Sequence, residues 1–246
     1  MKTRYFVLAA VFVAAAHAQN APTKTLKVLT AAEIDPSRLL PPPPADGSES
    51  QRKELKEVER LVETRSKERF AQAKWDNEHE DPTAFAATLG PTFNLQELPA
   101  TAKLLAAVMN DQSMAASAAK TYFHRRSPVA AAGDAASNYQ AWSCDEGVKK
   151  PADRPLRSYP SGHATMGYSV GIILAALIPE KSQAILARAG DYAYSREVCG
   201  DHYHSDVEAS HALGSALGMM LLNDASLKPQ IEAARAELRA AGLTMQ

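Results

Sequence analysis

Residues 195–206 read SREVCGDHYHSD and combine two histidines, two aspartates, an arginine and a cysteine in twelve positions. His202, His204 and Asp206 form the pattern H-x-H-x-D, which resembles a hydrolytic metal cluster, with Asp201 or His211 as a further ligand. His202 and Asp206 also stand four residues apart, the spacing of a histidine and its orienting carboxylate on one face of a helix. The two interpretations predict different chemistry, and the rest of the sequence favours the second.

We expect a helix from about His202 to Leu222, rich in alanine and leucine. On a helix, Asp206 lies one turn from His202, whereas His204 points away by about 200°. A metal site would need both histidines to converge on one ion, which a helix prevents. Asp206 can instead hold one imidazole nitrogen and leave the other free as a base or nucleophile. A purely structural, hydrogen-bonded His202 is the remaining alternative.

A second stretch, YPSGHATMG at residues 159–167, predicts an anion site. Ser161 is placed to cap a helix whose free N–H groups and dipole attract anions. Gly162 lets an anion approach the backbone closely, and His163 can protonate a leaving oxygen. Arg196 and Lys120 add cationic groups that grip phosphate oxygens. Together these residues are what phosphoryl transfer requires.

The N-terminus indicates export. Residues 1–18 combine a basic start, about twelve apolar residues and a small-x-small site, which is typical of a secretory signal peptide cleaved after Ala18. A membrane anchor is the alternative, but the apolar run is shorter than the roughly 20 residues that a spanning helix needs. We therefore expect a periplasmic or secreted protein with no integral membrane segment after signal removal.

The mature chain would keep 25 basic and 28 acidic residues, a net charge of −3, without the clustered basic face of a nucleic-acid binder. In an exported chain, Cys144 and Cys199 favour a disulfide, with two free buried thiols as the alternative.

The pattern of helix signals along the rest of the chain predicts an all-α protein. Residues 19–47 contain LLPPPPADG and favour an extended proline-rich segment, whereas residues 48–246 read as one helical domain. Ser48 and Gln51 suggest a capping box before an amphipathic helix over residues 53–75. Further helices are expected from Pro99 to Pro128 and over about 162–178, 180–196, 202–222 and 226–241, with a long loop before Ser161.

These stretches resemble the phosphatidic acid phosphatase type 2 and vanadium haloperoxidase superfamily, whose pattern is K-x6-R-P, P-S-G-H and S-R-x5-H-x3-D. The second and third blocks are intact at residues 160–163 and 195–206. The surrounding sequence is similar to bacterial class A nonspecific acid phosphatases over nearly all of the mature chain. The stretches that carry this similarity include LLPPPPADGS, CGDHYHSDVEA and LGSALG.

The resemblance implies a metal-independent acid phosphatase, without a cofactor, that hydrolyses small phosphate monoesters through a phosphohistidine. His202 would be the nucleophile, Asp206 its orienting carboxylate and His163 the acid for the leaving group. Phosphoryl oxygens would be bound by the remaining matched positions, which are Lys120, Ser161, Gly162 and Arg196. The family also has cysteines at the positions of Cys144 and Cys199. The resemblance further implies inhibition by vanadate and a possible homodimer.

The first block departs from the pattern, because Lys120 and six intervening residues are followed by Ser127-Pro128 where the family has Arg-Pro. Arg126 is poorly aimed to replace that arginine, since neighbouring side chains in an extended stretch point opposite ways. Arg125 would have to reach back one residue further. We expect the vacant place to be taken by the Ser127 hydroxyl and water, with reduced activity.

Three alternatives within or beside this reading stay open. A lipid-phosphate phosphatase and a pyrophosphate or diphosphate phosphatase share the superfamily pattern. A weakly active protein that binds phosphate compounds would fit the altered first block.

Overall fold

The computed structural model describes residues 24–133, 142–145, 153 and 155–245, and within them it contains no β-strand. The predicted all-α class is confirmed. The predicted signal peptide, residues 19–23 and much of the loop before Ser161 lie outside the described residues. The helices are α1 (Pro36–Leu39), α2 (Glu49–Thr64), α3 (Lys67–Glu78), α4 (Ala86–Leu89), α5 (Pro99–Phe123), α6 (Pro128–Ala132), α7 (Gly162–Leu177), α8 (Ser182–Cys199), α9 (His204–Asn223) and α10 (Lys228–Ala240).

Local sequence signals set several helix starts as predicted. Ser48 accepts the amide of Gln51 at the start of α2, and Ser161 caps α7. Pro82 begins a 3-10 turn and Pro99 begins α5, positions where the missing proline N–H is harmless. These signals act within one turn of backbone, so the sequence alone reveals them.

Three predicted helices have different bounds. The helix expected from Pro99 to Pro128 ends at Phe123, where His124 adopts a left-handed backbone conformation with φ 48°. The stretch over residues 53–75 is divided between α2 and α3, because Ser66 caps a new helix by accepting the amide of Arg69. The helix expected from His202 begins instead at His204, after an extended Tyr203. Asp206 accepts the backbone amide of Tyr203 at 3.0 Å, which closes the first turn of α9 and leaves His202 outside it.

Helix α7 forms the centre of the core and packs against α5, α8 and α9. Its buried face includes Val170, Ile173 and Leu174. Helix α9 approaches α7 closely at Gly214, where an added Cβ would lie 2.7 Å from the carbonyl oxygen of Thr165. Only glycine permits this contact, which sets the N-terminal ends of α7 and α9 side by side.

The N-terminal segment from residue 24 to residue 47 crosses α5 and returns towards α7. The Asp111 carboxylate on α5 accepts the backbone amides of Lys27, Val28 and Leu29 at 2.8, 2.9 and 2.7 Å. The Tyr159 hydroxyl donates to the Pro41 carbonyl at 2.8 Å. Residues 41–44, the four prolines, are not helical, and the short α1 precedes them.

None of the described helices is both long enough and apolar enough to cross a membrane.

Candidate active site

His202 lies in a tight turn between α8 and α9. Gly200 makes this turn possible, because it adopts φ +80° and an added Cβ would lie 2.5 Å from the Trp142 carbonyl oxygen. The His202 side chain is only 11% exposed, and its Nδ1 lies 3.3 Å from Oδ2 of the fully buried Asp206. The structure therefore brings together the pair that the sequence predicted, but from a turn rather than from within a helix.

The Asp206 carboxylate is saturated with donors. Oδ1 accepts from Nη1 of Arg125 at 2.6 Å, and Oδ2 accepts from the Ser158 hydroxyl at 2.6 Å and the Tyr203 amide at 3.0 Å. Burial alone would raise the pKa of Asp206, but the bond from His202 and the charge of Arg125 outweigh burial and lower it. Asp206 is thus held as an anion that accepts the Nδ1 proton of His202.

Burial lowers the pKa of the His202 imidazole, and the nearby charges of Lys120 and Arg196 act in the same direction against Asp206. The neutral ring is therefore favoured. With its proton on Nδ1 facing Asp206, Nε2 keeps a free lone pair, which is the form that a nucleophile requires.

The start of α7 contributes a rigid N-terminus. Ser161 is fully buried, its hydroxyl accepts the Ala164 amide at 3.3 Å, and its own amide donates to the Ser210 hydroxyl at 2.8 Å. Next to it, a Cβ added to Gly162 would lie 3.3 Å from Oε1 of Glu80. The absence of that Cβ keeps the first-turn backbone of α7 accessible to an anion.

His163, in the first turn of α7, is flanked by oxygen acceptors on both ring nitrogens. Nε2 lies 3.1 Å from the Asn77 carbonyl oxygen, and Nδ1 lies 3.6 Å from Oε1 of Glu80. A carbonyl can only accept, so Nε2 carries a proton and Nδ1 is the atom free to exchange one. Burial, reinforced by the charge of Arg196, lowers the pKa of His163 well below its ordinary value.

Arg196 is 4% exposed and is oriented by two acceptors. Nη2 donates to Oδ2 of Asp201 at 3.0 Å, and Nη1 donates to the Asn77 side-chain oxygen. Its buried Nε has no hydrogen-bond partner among the described groups. A buried donor without a partner is costly.

The predicted disulfide between Cys144 and Cys199 is confirmed, with the two Cα atoms 5.1 Å apart. Cys199 is the last residue of α8, three positions after Arg196. The disulfide therefore ties the loop at residues 142–145 to the end of the helix that supplies this arginine.

The residues on either side of Cys144 hold the two acceptors of that arginine. The Ser143 hydroxyl donates to Oδ1 of Asp201 at 2.8 Å. The Asn77 side-chain amide donates to Oδ1 of Asp145, also at 2.8 Å. We call residues 143–145 with their disulfide the arginine clamp.

Lys120 lies in the last turn of α5 and donates from Nζ to the Arg157 carbonyl. Its Cε lies 3.9 Å from the position of a Cβ on Gly162. Burial lowers the pKa of Lys120 to about 8, although the charge of Asp206 opposes this. Lys120, Gly162, Arg196 and the two histidines thus surround one space, which we call the anion cradle.

The altered first block takes a different form from the one expected. The Ser127 hydroxyl does not fill the place of the missing arginine, because it caps α6 by accepting the Ala130 amide at 3.4 Å. Arg126 is exposed, with Nε 3.5 Å from Oδ2 of Asp46 at the surface. Arg126 is thus turned away from the cradle, as its position next to an extended residue predicts.

Arg125 is the buried arginine of this block, with a side chain 1% exposed. Besides Asp206, it donates to Oε2 of Glu54 and to the Ser205 hydroxyl, each at 2.7 Å. Arg125 therefore supports the carboxylate behind His202. The sequence offered Arg125 only as a substitute phosphate ligand, and no motif indicated this role.

The H-x-H-x-D residues do not converge. His204 is 60% exposed and its Nδ1 lies 3.0 Å from Oε1 of Glu197, while His202 is buried. His211 stacks on Tyr168 with ring centroids 4.2 Å apart. Across the described ranges, no group of three or more His, Cys, Asp or Glu residues is arranged to hold a metal ion.

The chain is similar in sequence to known phosphatases. Residues 100–228 match the model of the PAP2 superfamily. An acid phosphatase of Zymomonas mobilis is 31% identical over 210 residues, covering 84% of this chain and 76% of that protein. Non-specific acid phosphatases of Providencia stuartii (30% identical, 83% of this chain and 81% of the relative) and Salmonella typhimurium (26% identical, 87% and 84%) are also similar.

The chain therefore belongs to the PAP2 superfamily. Within that class it is a phosphatase enzyme, as the sequence predicted.

Proposed function

We propose that the protein is an exported, metal-independent acid phosphatase that hydrolyses small phosphate monoesters through a phosphohistidine on His202. The observation that carries this proposal is the buried His202–Asp206 pair, 3.3 Å apart, facing the anion cradle. The ionised Asp206 fixes the proton on Nδ1 and leaves Nε2 as the nucleophile.

In the first step, Nε2 of His202 attacks phosphorus while the bond to the leaving oxygen breaks. His163 transfers its Nδ1 proton to that oxygen, so a neutral alcohol departs. The three equatorial oxygens would be bound by Lys120, the Ser161 hydroxyl, the Gly162 amide and the guanidinium of Arg196.

In the second step, water attacks phosphorus, the N–P bond breaks and His163 accepts the proton of the water. Inorganic phosphate then leaves the cradle. Because burial lowers the pKa of His163 well below its ordinary value, the charged acid form of the empty enzyme requires a low pH. A bound phosphate raises this pKa by its opposite charge, so the acid form of His163 persists to a higher pH in the substrate complex than in the empty enzyme. Turnover is still favoured by acid conditions.

One observation favours a second candidate, a protein that binds phosphate compounds with little turnover. Ser127 stands where the family pattern has arginine, and its hydroxyl is used to cap α6. Such a protein would bind phosphate without releasing product at steady state.

A signal peptide at residues 1–18 and a periplasmic or secreted location complete the main proposal, the exported acid phosphatase.

The test is steady-state phosphate release from p-nitrophenyl phosphate by the mature protein in acid buffer. We expect multiple turnovers that survive excess EDTA and fall with vanadate, which adopts the five-coordinate geometry of the phosphoryl transition state. Loss of activity on chelation, restored by zinc, would contradict the proposal. Phosphate binding without turnover would favour the second candidate.

A further inference from the structure

Glu80 occupies a fixed turn at the edge of the anion cradle, although no motif of the sequence includes it. It follows the C-terminal end of α3, where the Tyr192 hydroxyl donates to the His79 carbonyl at 3.0 Å. On its other side, Asp81 accepts the Thr83 amide at 2.7 Å and begins the next turn. The backbone on both sides of Glu80 is thus anchored.

The Glu80 carboxylate faces into the cradle. Oε1 lies 3.6 Å from Nδ1 of His163 and 3.3 Å from the position of a Cβ on Gly162. The side chain is 47% exposed, so it borders the entrance. Burial raises the pKa of the Glu80 carboxylate, and the positive charges of Arg196 and Lys120 oppose this rise.

These distances place a carboxylate on the side of the cradle where the leaving group departs. This step rests on the proposed function, in which Nδ1 of His163 protonates the leaving oxygen. The leaving group must then approach the same nitrogen that Glu80 faces. An alcohol brings no charge to this position, whereas a phosphate or diphosphate leaving group brings at least one negative charge.

We propose that Glu80 determines leaving-group specificity, admitting phosphate monoesters of neutral alcohols and disfavouring phosphoanhydrides such as pyrophosphate. The carboxylate acts by repulsion, because a like charge against the wrong substrate is an efficient way to discriminate. The cations of the cradle attract the transferred phosphoryl group of both substrates alike, so they provide no such selection.

Glu78→Gln is a matched control for Glu80→Gln. Glu78 is an exposed carboxylate at the last position of α3, two residues before Glu80. Each substitution removes one negative charge with little change of shape. Only Glu80 faces His163, so a general change in net charge would affect both variants equally.

The experiment measures kcat/KM for p-nitrophenyl phosphate and for pyrophosphate with the wild type and both variants. The pH runs from about 5 to about 7, the range over which a glutamate of raised pKa becomes ionised. In Glu80→Gln we expect the ratio of pyrophosphate to p-nitrophenyl phosphate activity to rise about threefold to fivefold, as for removal of a partly exposed and screened like charge. The rise should be largest near pH 7, where Glu80 is ionised. The groups that face Glu80 or act on its charge are His163, Lys120, Arg196 and Lys24. Glu78→Gln should keep the wild-type ratio.

An unchanged ratio in Glu80→Gln would overturn the inference, as would a wild type that prefers pyrophosphate. Equal loss of kcat on both substrates would also overturn it and would make Glu80 a positioning residue for His163. A wild type that hydrolyses neither substrate would overturn the proposed function itself, and the inference with it.

Discussion

Arg125 and Arg126 are adjacent in the chain and have opposite surroundings. Arg125 is buried against Asp206 and Glu54, whereas Arg126 lies at the surface near Asp46. We expect Arg125→Met to lower kcat by about a hundredfold, since losing a hydrogen bond to a buried charge costs about 3 kcal/mol and about 1.4 kcal/mol is a factor of ten. Steady-state kinetics on p-nitrophenyl phosphate measures this change.

The control for this prediction is Arg126→Ala, which should keep activity within about twofold, because exposed ion pairs contribute little. Thermal unfolding of Arg125→Met should be followed in parallel, since breaking a buried pair also destabilises the fold. If Arg126→Ala abolished activity, the cradle would be built around Arg126, and the role given to Arg125 would be wrong.

Lys120 should impose its own pH dependence on phosphate binding. Its pKa of about 8 means that the ammonium is charged below this pH and is lost as the pH rises through it. The affinity for inorganic phosphate should therefore fall above pH 8 in the wild type. Lys120→Arg keeps its charge to much higher pH and should lack this fall, as isothermal titration calorimetry at a series of pH values would measure.

Lys120→Arg also replaces a compact ammonium with a planar guanidinium and so changes the overall affinity. The slope of the affinity with pH is therefore the informative quantity. Equal slopes for the wild type and the variant above pH 8 would show that another group controls binding there.

The end of α8 and the loop at residues 142–145 form one covalently linked unit. The disulfide joins them, and the arginine clamp fixes both acceptors of Arg196. We expect the double variant Cys144→Ser, Cys199→Ser to lose about 2–5 kcal/mol of unfolding free energy. Because Arg196 would lose its orientation, KM for p-nitrophenyl phosphate should also rise, more than kcat falls.

Ser143→Ala is the matched variant for the arginine clamp, since it removes one contact to Asp201 and keeps the disulfide. It should raise KM by a smaller factor with little change in urea unfolding. A disulfide variant with reduced stability and an unaltered KM would show that the loop stabilises the fold without positioning Arg196.

The helices illustrate what a sequence can predict. Ser48, Ser161 and Pro99 mark helix starts through contacts within one turn, so these starts were predictable. The start of α9 was not, because the carboxylate of Asp206 holds the extended Tyr203 outside the helix. The predicted separation of His202 from His204 was correct, although its cause is the turn at Gly200 rather than a helical face.

The candidate site shows the same limit more strongly. The residues of the P-S-G-H and S-R-x5-H-x3-D blocks could be selected because their spacing carries a pattern. Asn77 and Glu80 could not, because they reach the cradle only when the end of α3 packs against α8. No local spacing relates them to His163 or Arg196.

At the scale of the whole molecule, the cradle depends on the packing of α5, α8, α9 and α10 around α7. Gly214 lets α9 touch α7, and Ser210 bonds to both the amide and the carbonyl of Ser161 across this contact. The N-terminal segment adds a further restraint through Asp111 on α5 and Tyr159 before α7. The fold thus holds His202, His163 and the cations in fixed positions before a substrate arrives, which is the condition for the electrostatic stabilisation that the proposed mechanism requires.

The central claim, that this arrangement transfers phosphate through His202, is tested most directly by trapping the intermediate. The mature enzyme would be mixed with a radiolabelled phosphate monoester, quenched within one turnover and digested, and the labelled peptide identified. We predict an acid-labile, alkali-stable phosphate on the peptide containing His202, absent from His202→Ala and retained in His204→Ala. Label on another residue, or label that survives in His202→Ala, would contradict the account.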